Sequence, residues 1–152
     1  SRAYEGALVQ PPKARSSLHY PLGSVQCAKT TKKQNIVIIA IDAWRFDMLK
    51  KSITPNITAF ANKSWVFTNH SSGGNSTGPG IFSLFYGIPA TYWTVMEEQK
   101  KGPIFIDTLL KENYQIQILG SADLSAPPFD RTVFQTVPHL EKKQSTNTPN
   151  EM

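Results

Sequence analysis

The chain has 152 residues, 39% of them hydrophobic and 18% charged, which excludes wholesale disorder and allows one domain with a buried core and no covalent staples. Lys and Arg number 16 against 11 Asp and Glu, a net charge of +5; this favours an anionic partner such as a phosphate ester or an acidic lipid surface, while scattered lysines without an interleaved aromatic ladder argue against nucleic acid. A single cysteine, Cys27, excludes an intrachain disulfide and a multi-cysteine metal site, and no apolar run reaches the roughly 20 residues that cross a bilayer.

Residues 1–34 carry Pro11, Pro12, Pro21 and Gly23 among basic and polar neighbours and read as an irregular lead-in. Its one sticky point, LHYPLG, is expected to lie on the domain. The opening SRAYEGALVQ lacks the form of a signal peptide and does not begin with Met, so the chain reads as a soluble piece of something longer. NIVIIAI, residues 35–41, is continuously apolar and β-branched, the pattern of a strand buried on both faces of a parallel sheet. Asp42 ends it, and a short helical segment is expected within AWRFDMLKK.

TPNITAFANKS offers Thr54 as N-cap and Pro55 at the first helical position, with Ile57, Phe60 and Ala61 on one face. SWVFTNH, residues 64–70, reads as a second strand. A glycine-rich loop then leads into a helix near GIFSLFYG, which Gly87 ends. Another helix starts at Pro103, with Ile106, Leu109 and Leu110 at core spacing, and gives way to a third strand over residues 115–119. Beyond Gly120 prolines interrupt the pattern, and residues 141–152 read as a flexible tail. Alternating strands and helices predict an α/β domain over residues 35–140, with a largely parallel sheet flanked by helices. Three strands are few for such a sheet, so the fold is expected to be truncated.

Open α/β sheets place ligands beyond the carboxyl ends of their strands. Asp42 stands at that end of the first predicted strand and HSSGGNSTGPG at that end of the second, so parallel neighbours bring both to one edge. A carboxylate there can hold a divalent metal, and a hydroxyl at a helix start, Thr77 or Ser76, sits where free amides favour an anion. The same residues have plainer uses. Asp42 can cap the segment after it, Ser76 and Thr77 can be ordinary N-caps, and His70 can be a structural hydrogen bonder. The loop is neither GxGxxG nor GxxxxGK[ST], which removes dinucleotide and P-loop readings. The aromatic residues Trp44, Trp65, Phe82, Phe85, Tyr86, Tyr92 and Trp93 are assigned to the core.

The stretches NIVIIAIDAWRFDML, TPNITAFANKSWVFTNHSSGGNSTGPGIFSLFYGIPATYW and LLKENYQIQILGSA resemble the opening part of the sulfatase-like periplasmic domain of the YejM/PbgA group, inner-membrane proteins of the alkaline phosphatase superfamily. The resemblance implies a sulfatase-type α/β fold, an upstream membrane anchor of several helices, and a location on the periplasmic face of the inner membrane. It further implies a part in lipopolysaccharide homeostasis, with lipopolysaccharide or another anionic lipid such as cardiolipin, and a regulatory membrane protein, as partners.

By position, the resemblance makes Asp42 a metal ligand and Thr77 the nucleophile and a second ligand, with Pro79 where sulfatases have proline; the lipoteichoic-acid synthase pattern points to Ser76 instead. His70 and Asn75 are the candidates to support them. Mg, Mn or Zn is the implied metal, incompletely coordinated here because the superfamily's late Asp and His pair has no counterpart in this chain. Sulfatases carry a modified Cys at the helix start and an Arg after it, and this loop has neither. The implied function is therefore a regulatory or lipid-binding domain, with a metal-dependent phosphatase or phosphoglycerol-type transferase using a Thr nucleophile as the alternative.

Overall fold

The structure is a computed structural model that describes residues 18–26 and 32–140. Four α-helices appear in chain order: α1 (Pro55–Ala61), α2 (Thr77–Tyr86), α3 (Trp93–Glu98) and α4 (Ile104–Lys111). Short 3-10 turns stand at Phe46–Met48, Ala90–Tyr92 and Phe129–Arg131. The expected tail at residues 141–152 and most of the lead-in lie outside the described residues.

The helix signals in the sequence hold with adjustments. Pro55 opens α1 as its first residue, where a missing N–H costs nothing. Thr54, expected to cap it, makes no side-chain cap bond; its Oγ1 donates to the Met48 carbonyl at 3.0 Å, tying α1 to the turn before it. Helix α2 begins at Thr77, one turn earlier than the apolar run alone suggests, because the first-turn positions tolerate Gly78 and Pro79. It stops at Gly87, whose φ of 68° is the left-handed conformation that glycine adopts without a Cβ clash, and whose N–H donates to the Ser83 carbonyl.

The three predicted strands are a different matter. Residues 35–41 do run extended, with exposure alternating between Ile36 (51%) and Ile38 (52%) on one side and Val37 (80%) and Ile39 (82%) on the other, a pattern that ends at Ile41 (54%). Yet among the described residues no backbone ladder joins residues 35–41, 65–70 or 115–119 to anything. Among the described residues an isolated antiparallel bridge joins Ser125 to Pro128, and Gly120 also holds a bridge position. The parallel sheet expected from sequence is thus absent as paired structure in this part of the chain. β-Branched runs favour extended backbone locally, but a strand exists only once a neighbour takes its hydrogen bonds.

The core lies on the helical side. Gly78, Phe82 and Tyr86 lie along one face of α2 at intervals of four residues, and Phe82 is fully buried. Phe82 stacks on Tyr86 with ring centroids 4.2 Å apart and meets Trp93 at 5.2 Å. Met96 from α3 and Ile106 from α4 close the cluster. The other half comes from a region whose pattern looked loose: Phe129, Val133, Phe134 and Val137 are all buried, with Phe134 edge-on to Phe85 at 5.4 Å. Their spacing was visible in PPFDRTVFQTV, but the prolines beside it concealed a segment of turns that packs as tightly as a helix. Replacing Phe82 with Ala is expected to cost about 3–5 kcal/mol by cavity formation, read as a lower urea midpoint.

Two phenols are held inside this layer. Tyr86 donates its hydroxyl proton to the Lys101 carbonyl at 2.8 Å, and burial pushes its ionisation well above the ordinary tyrosine range; burial also raises Tyr20. Both groups must lose a proton to become charged, so a raised folded-state pKa stabilises the fold below the unfolded value of about 10. That contribution is lost as pH rises from there. Stability should therefore fall above pH of about 10 in alkaline unfolding curves, and Tyr20→Phe should make the decline shallower.

Candidate functional site

Asp42 sits where the extended segment 35–41 turns, and Thr77 is the first residue of α2. They are 35 positions apart in sequence and touch in space: Thr77 Oγ1 donates to Asp42 Oδ2 at 2.7 Å. The other carboxylate oxygen, Oδ1, accepts the N–H of Ala43 at 2.8 Å. This second bond fixes the carboxylate against its own backbone, so both of its oxygens are oriented and one faces the helix start. Ala43 adopts φ of 54°, a left-handed conformation that a residue with a Cβ reaches only at a cost of about 1–2 kcal/mol. Strain beside Asp42 is the backbone cost of aiming its side chain across the gap.

The loop holding the alcohol is pressed onto its own helix. A Cβ on Gly73 would fall 1.9 Å from Ser83 Oγ, so no side chain fits there and the loop backbone lies directly on α2. Ser72 Oγ donates to the Gly74 carbonyl at 2.7 Å and accepts the Gly74 N–H at 3.3 Å, closing a local turn. Ser76 holds the N-cap position in extended backbone but makes no side-chain cap bond; its carbonyl accepts the Gly80 N–H. Pro79 has no N–H and that of Gly80 is taken, so Thr77 and Gly78 are the first-turn residues whose amides Ser76 leaves uncapped, groups of the kind that receive an anion.

An open cavity of about 940 Å³ lies over these groups. Its wall brings together every residue singled out from sequence, namely Asp42, His70, Asn75, Ser76 and Thr77. Of these, only Asp42 and Thr77 are bonded to one another; His70, Asn75 and Ser76 contribute lining. Sequence reasoning passed over Ser71 and Ser72, which share the cavity, and over the strain at Ala43; it assigned Trp44 and Trp65 to the core, whereas Trp44 lines the cavity and the two are 38% and 89% exposed. The paired serines in HSSGG were a legible sign of a hydroxyl-rich rim, whereas a strained alanine leaves no trace in sequence.

A carboxylate oxygen and an alcohol oxygen are hard donors of the kind that Mg²⁺ or Mn²⁺ accepts. Among the described residues no group of three or more His, Cys, Asp or Glu stands together. The Asp42 and Thr77 pair presents two oxygens of that kind, 2.7 Å apart.

The described residues thus present an alcohol at the start of a helix, hydrogen-bonded to a carboxylate at the end of an extended apolar segment. The sulfatase family model matches residues 34–148, and the chain belongs to the sulfatase family. Membership carries the alkaline-phosphatase-like α/β fold, to which the described residues contribute helices and unpaired extended segments.

The chain is 31% identical over 133 residues to an uncharacterized protein of Haemophilus influenzae, covering 88% of this chain and 22% of that protein. It is also 31% identical over 111 residues to the inner membrane protein YejM of Salmonella typhimurium, covering 73% of this chain and 19% of that protein, and the YejM of Salmonella typhi matches equally. The chain spans about a fifth of the length of these curated relatives. No solved structure matches it. Among the described residues no helix is long and apolar enough to cross a membrane.

Ala43 offers a direct test of the strained turn. Glycine adopts φ of 54° freely, so Ala43→Gly should raise stability by about 1 kcal/mol, measured as a higher thermal midpoint; a lower midpoint would show that the turn is not left-handed.

Proposed function

We propose that this chain forms the anion-recognising part of a sulfatase-type domain that works at the periplasmic face of the inner membrane as a lipid-responsive regulatory module. The anion it takes is the phosphorylated headgroup of lipopolysaccharide, or of another anionic lipid such as cardiolipin, and a regulatory membrane protein receives the signal. One observation carries this reading: the helix start keeps the family's carboxylate and alcohol, with open amides beside them, while the loop has neither the Cys nor the following Arg of sulfatases. Such a site retains the means to hold a tetrahedral oxyanion and lacks the sulfatase nucleophile. Likeness to an inner membrane protein and the net charge of +5 support a place beside an acidic lipid surface.

The 2.7 Å bond favours a second reading, phosphoryl or phosphoglycerol transfer. Thr77 Oγ1 would form the new bond to phosphorus, its proton passing to Asp42 Oδ2 while the ester oxygen leaves on the opposite side. A divalent ion, when bound, would be held by Asp42 and Thr77 and would supply charge neutralisation for the phosphate oxygens. The amides at the start of α2 would stabilise negative charge on the transferring group.

The two readings part on one pair of variants in the full-length protein. Under the regulatory reading, replacing Ser76 and Thr77 together by Ala weakens lipopolysaccharide control in a cell-based assay of lipopolysaccharide level, and no phosphate ester is turned over by the unaltered protein. Under the transfer reading, the unaltered protein hydrolyses p-nitrophenyl phosphate with Mg²⁺ or Mn²⁺, and Asp42→Asn lowers the rate by at least a factor of about 100. Unchanged lipopolysaccharide control in the double variant would count against the regulatory reading.

A further inference from the structure

Residues 18–22 precede the region matched by the sulfatase family, yet they are bonded into its helical layer. Tyr20 is at the centre. Its hydroxyl donates to the Tyr86 carbonyl, in the last turn of α2, at 2.9 Å, and accepts the Ile104 N–H, the first amide of α4, at 3.1 Å. One phenol thus satisfies the carbonyl that α2 leaves open at its end and the amide that α4 leaves open at its beginning. Its ring lies 5.7 Å from that of Tyr86, and Leu18 and Tyr20 pack against the buried cluster. Two further bonds hold the backbone down: Lys101 Nζ donates to the Tyr20 carbonyl at 3.3 Å, and Gln99 Nε2 donates to the Leu18 carbonyl at 3.4 Å.

These contacts reach across 66 to 84 positions of sequence, so the chain passes this point long before the partners are made. Nothing in the chemistry of the site uses them. Helix α2 has ten residues and is about 15 Å long, so Tyr20 grips one end of the rigid rod whose other end carries Thr77. The helix is stiff, and the packing of its Phe82 face against Trp93 and the buried cluster fixes its roll.

We infer that residues 18–22 are a strap by which the segment ahead of the sulfatase-family region is docked onto α2 and α4, with Tyr20 as the positioning residue through which that segment orients the helix bearing Thr77. Its partner is internal: the paired open ends of α2 and α4. The strap gives a preceding segment a mechanical handle on the candidate site without touching it. This inference stands on contacts outside the site and does not depend on which function the site performs.

The test is residue-resolved amide hydrogen exchange on the chain as it stands, comparing Tyr20→Phe with Lys101→Met. Tyr20→Phe keeps the ring and removes both hydroxyl bonds. Exchange at Ile104 should quicken roughly fivefold to tenfold, and the Gly87 amide closing α2 should follow, while the amides of Met96 and Val133 in the core stay as protected as before. Lys101→Met should loosen the strap at its backbone and speed exchange at residues 20–22, with Ile104 changed less. Unchanged exchange at Ile104 in Tyr20→Phe would overturn the docking role. An equal loss of protection everywhere, core included, would make Tyr20 an ordinary packing residue and overturn the strap as well. Tyr20→Ala, should it unfold the chain while Tyr20→Phe behaves as wild type, would likewise assign the ring to packing and the hydroxyl to nothing.

Discussion

The packing of Phe82 and Tyr86, neighbours on one face of α2, against Trp93 and Met96 is the contact on which the remaining arrangement depends. It buries one face of α2 and so fixes the helix in both direction and roll. Thr77 lies on the same rod, and its hydroxyl meets Asp42 because the roll is fixed. Rotate α2 by one residue, about 100°, and the alcohol leaves the carboxylate. The site is therefore a consequence of hydrophobic packing a turn away from it, with the polar contact placed rather than self-assembled. The glycine at position 73 extends this logic, since the loop can lie on α2 only where no side chain intervenes.

The charge pattern around the candidate site follows a similar division of labour. Asp42 has its two oxygens committed to different partners, one backbone and one side chain. Its nearest cation in sequence, Arg45, is engaged elsewhere, making a paired contact with Asp47 at 3.0 and 2.6 Å. This exposed ion pair contributes little to stability, but it keeps the guanidinium bonded to a carboxylate other than that of Asp42. The carboxylate facing Thr77 is left with a hydrogen bond rather than an ion pair, a state suited to accept a proton or a cation.

Sequence alone revealed α1, α2 and α4, though not α3, and the two bonded site residues, for identifiable reasons. Pro55 and Gly87 act through the backbone of a single residue, so their effect is local and readable. Asp42 and Thr77 could be brought together because a strand end and a helix start have fixed places in an α/β domain. The sheet was not legible in this way. NIVIIAI specifies an extended backbone, but pairing depends on distant partners, and in the described residues that pairing is not made. LHYPLG was legible as a sticky stretch that lies on the domain, and Tyr20 does pack there, but its hydroxyl bonds to Tyr86 and Ile104 span tens of residues and follow no period. The contribution of Phe129 to Val137 to the core was hidden by Pro127 and Pro128, which break a helix pattern without preventing burial.

Residues 35–41 carry one more implication. Six apolar residues follow Asn35 in a ribbon that, among the described residues, makes no ladder bond on either edge, and so offers amides and carbonyls to a β-prone polypeptide. Lys32 just ahead of it adds a like charge that opposes such cross-strand association and that salt screens, while Lys33 is tied to the Glu112 carbonyl and lies over the Tyr114 ring.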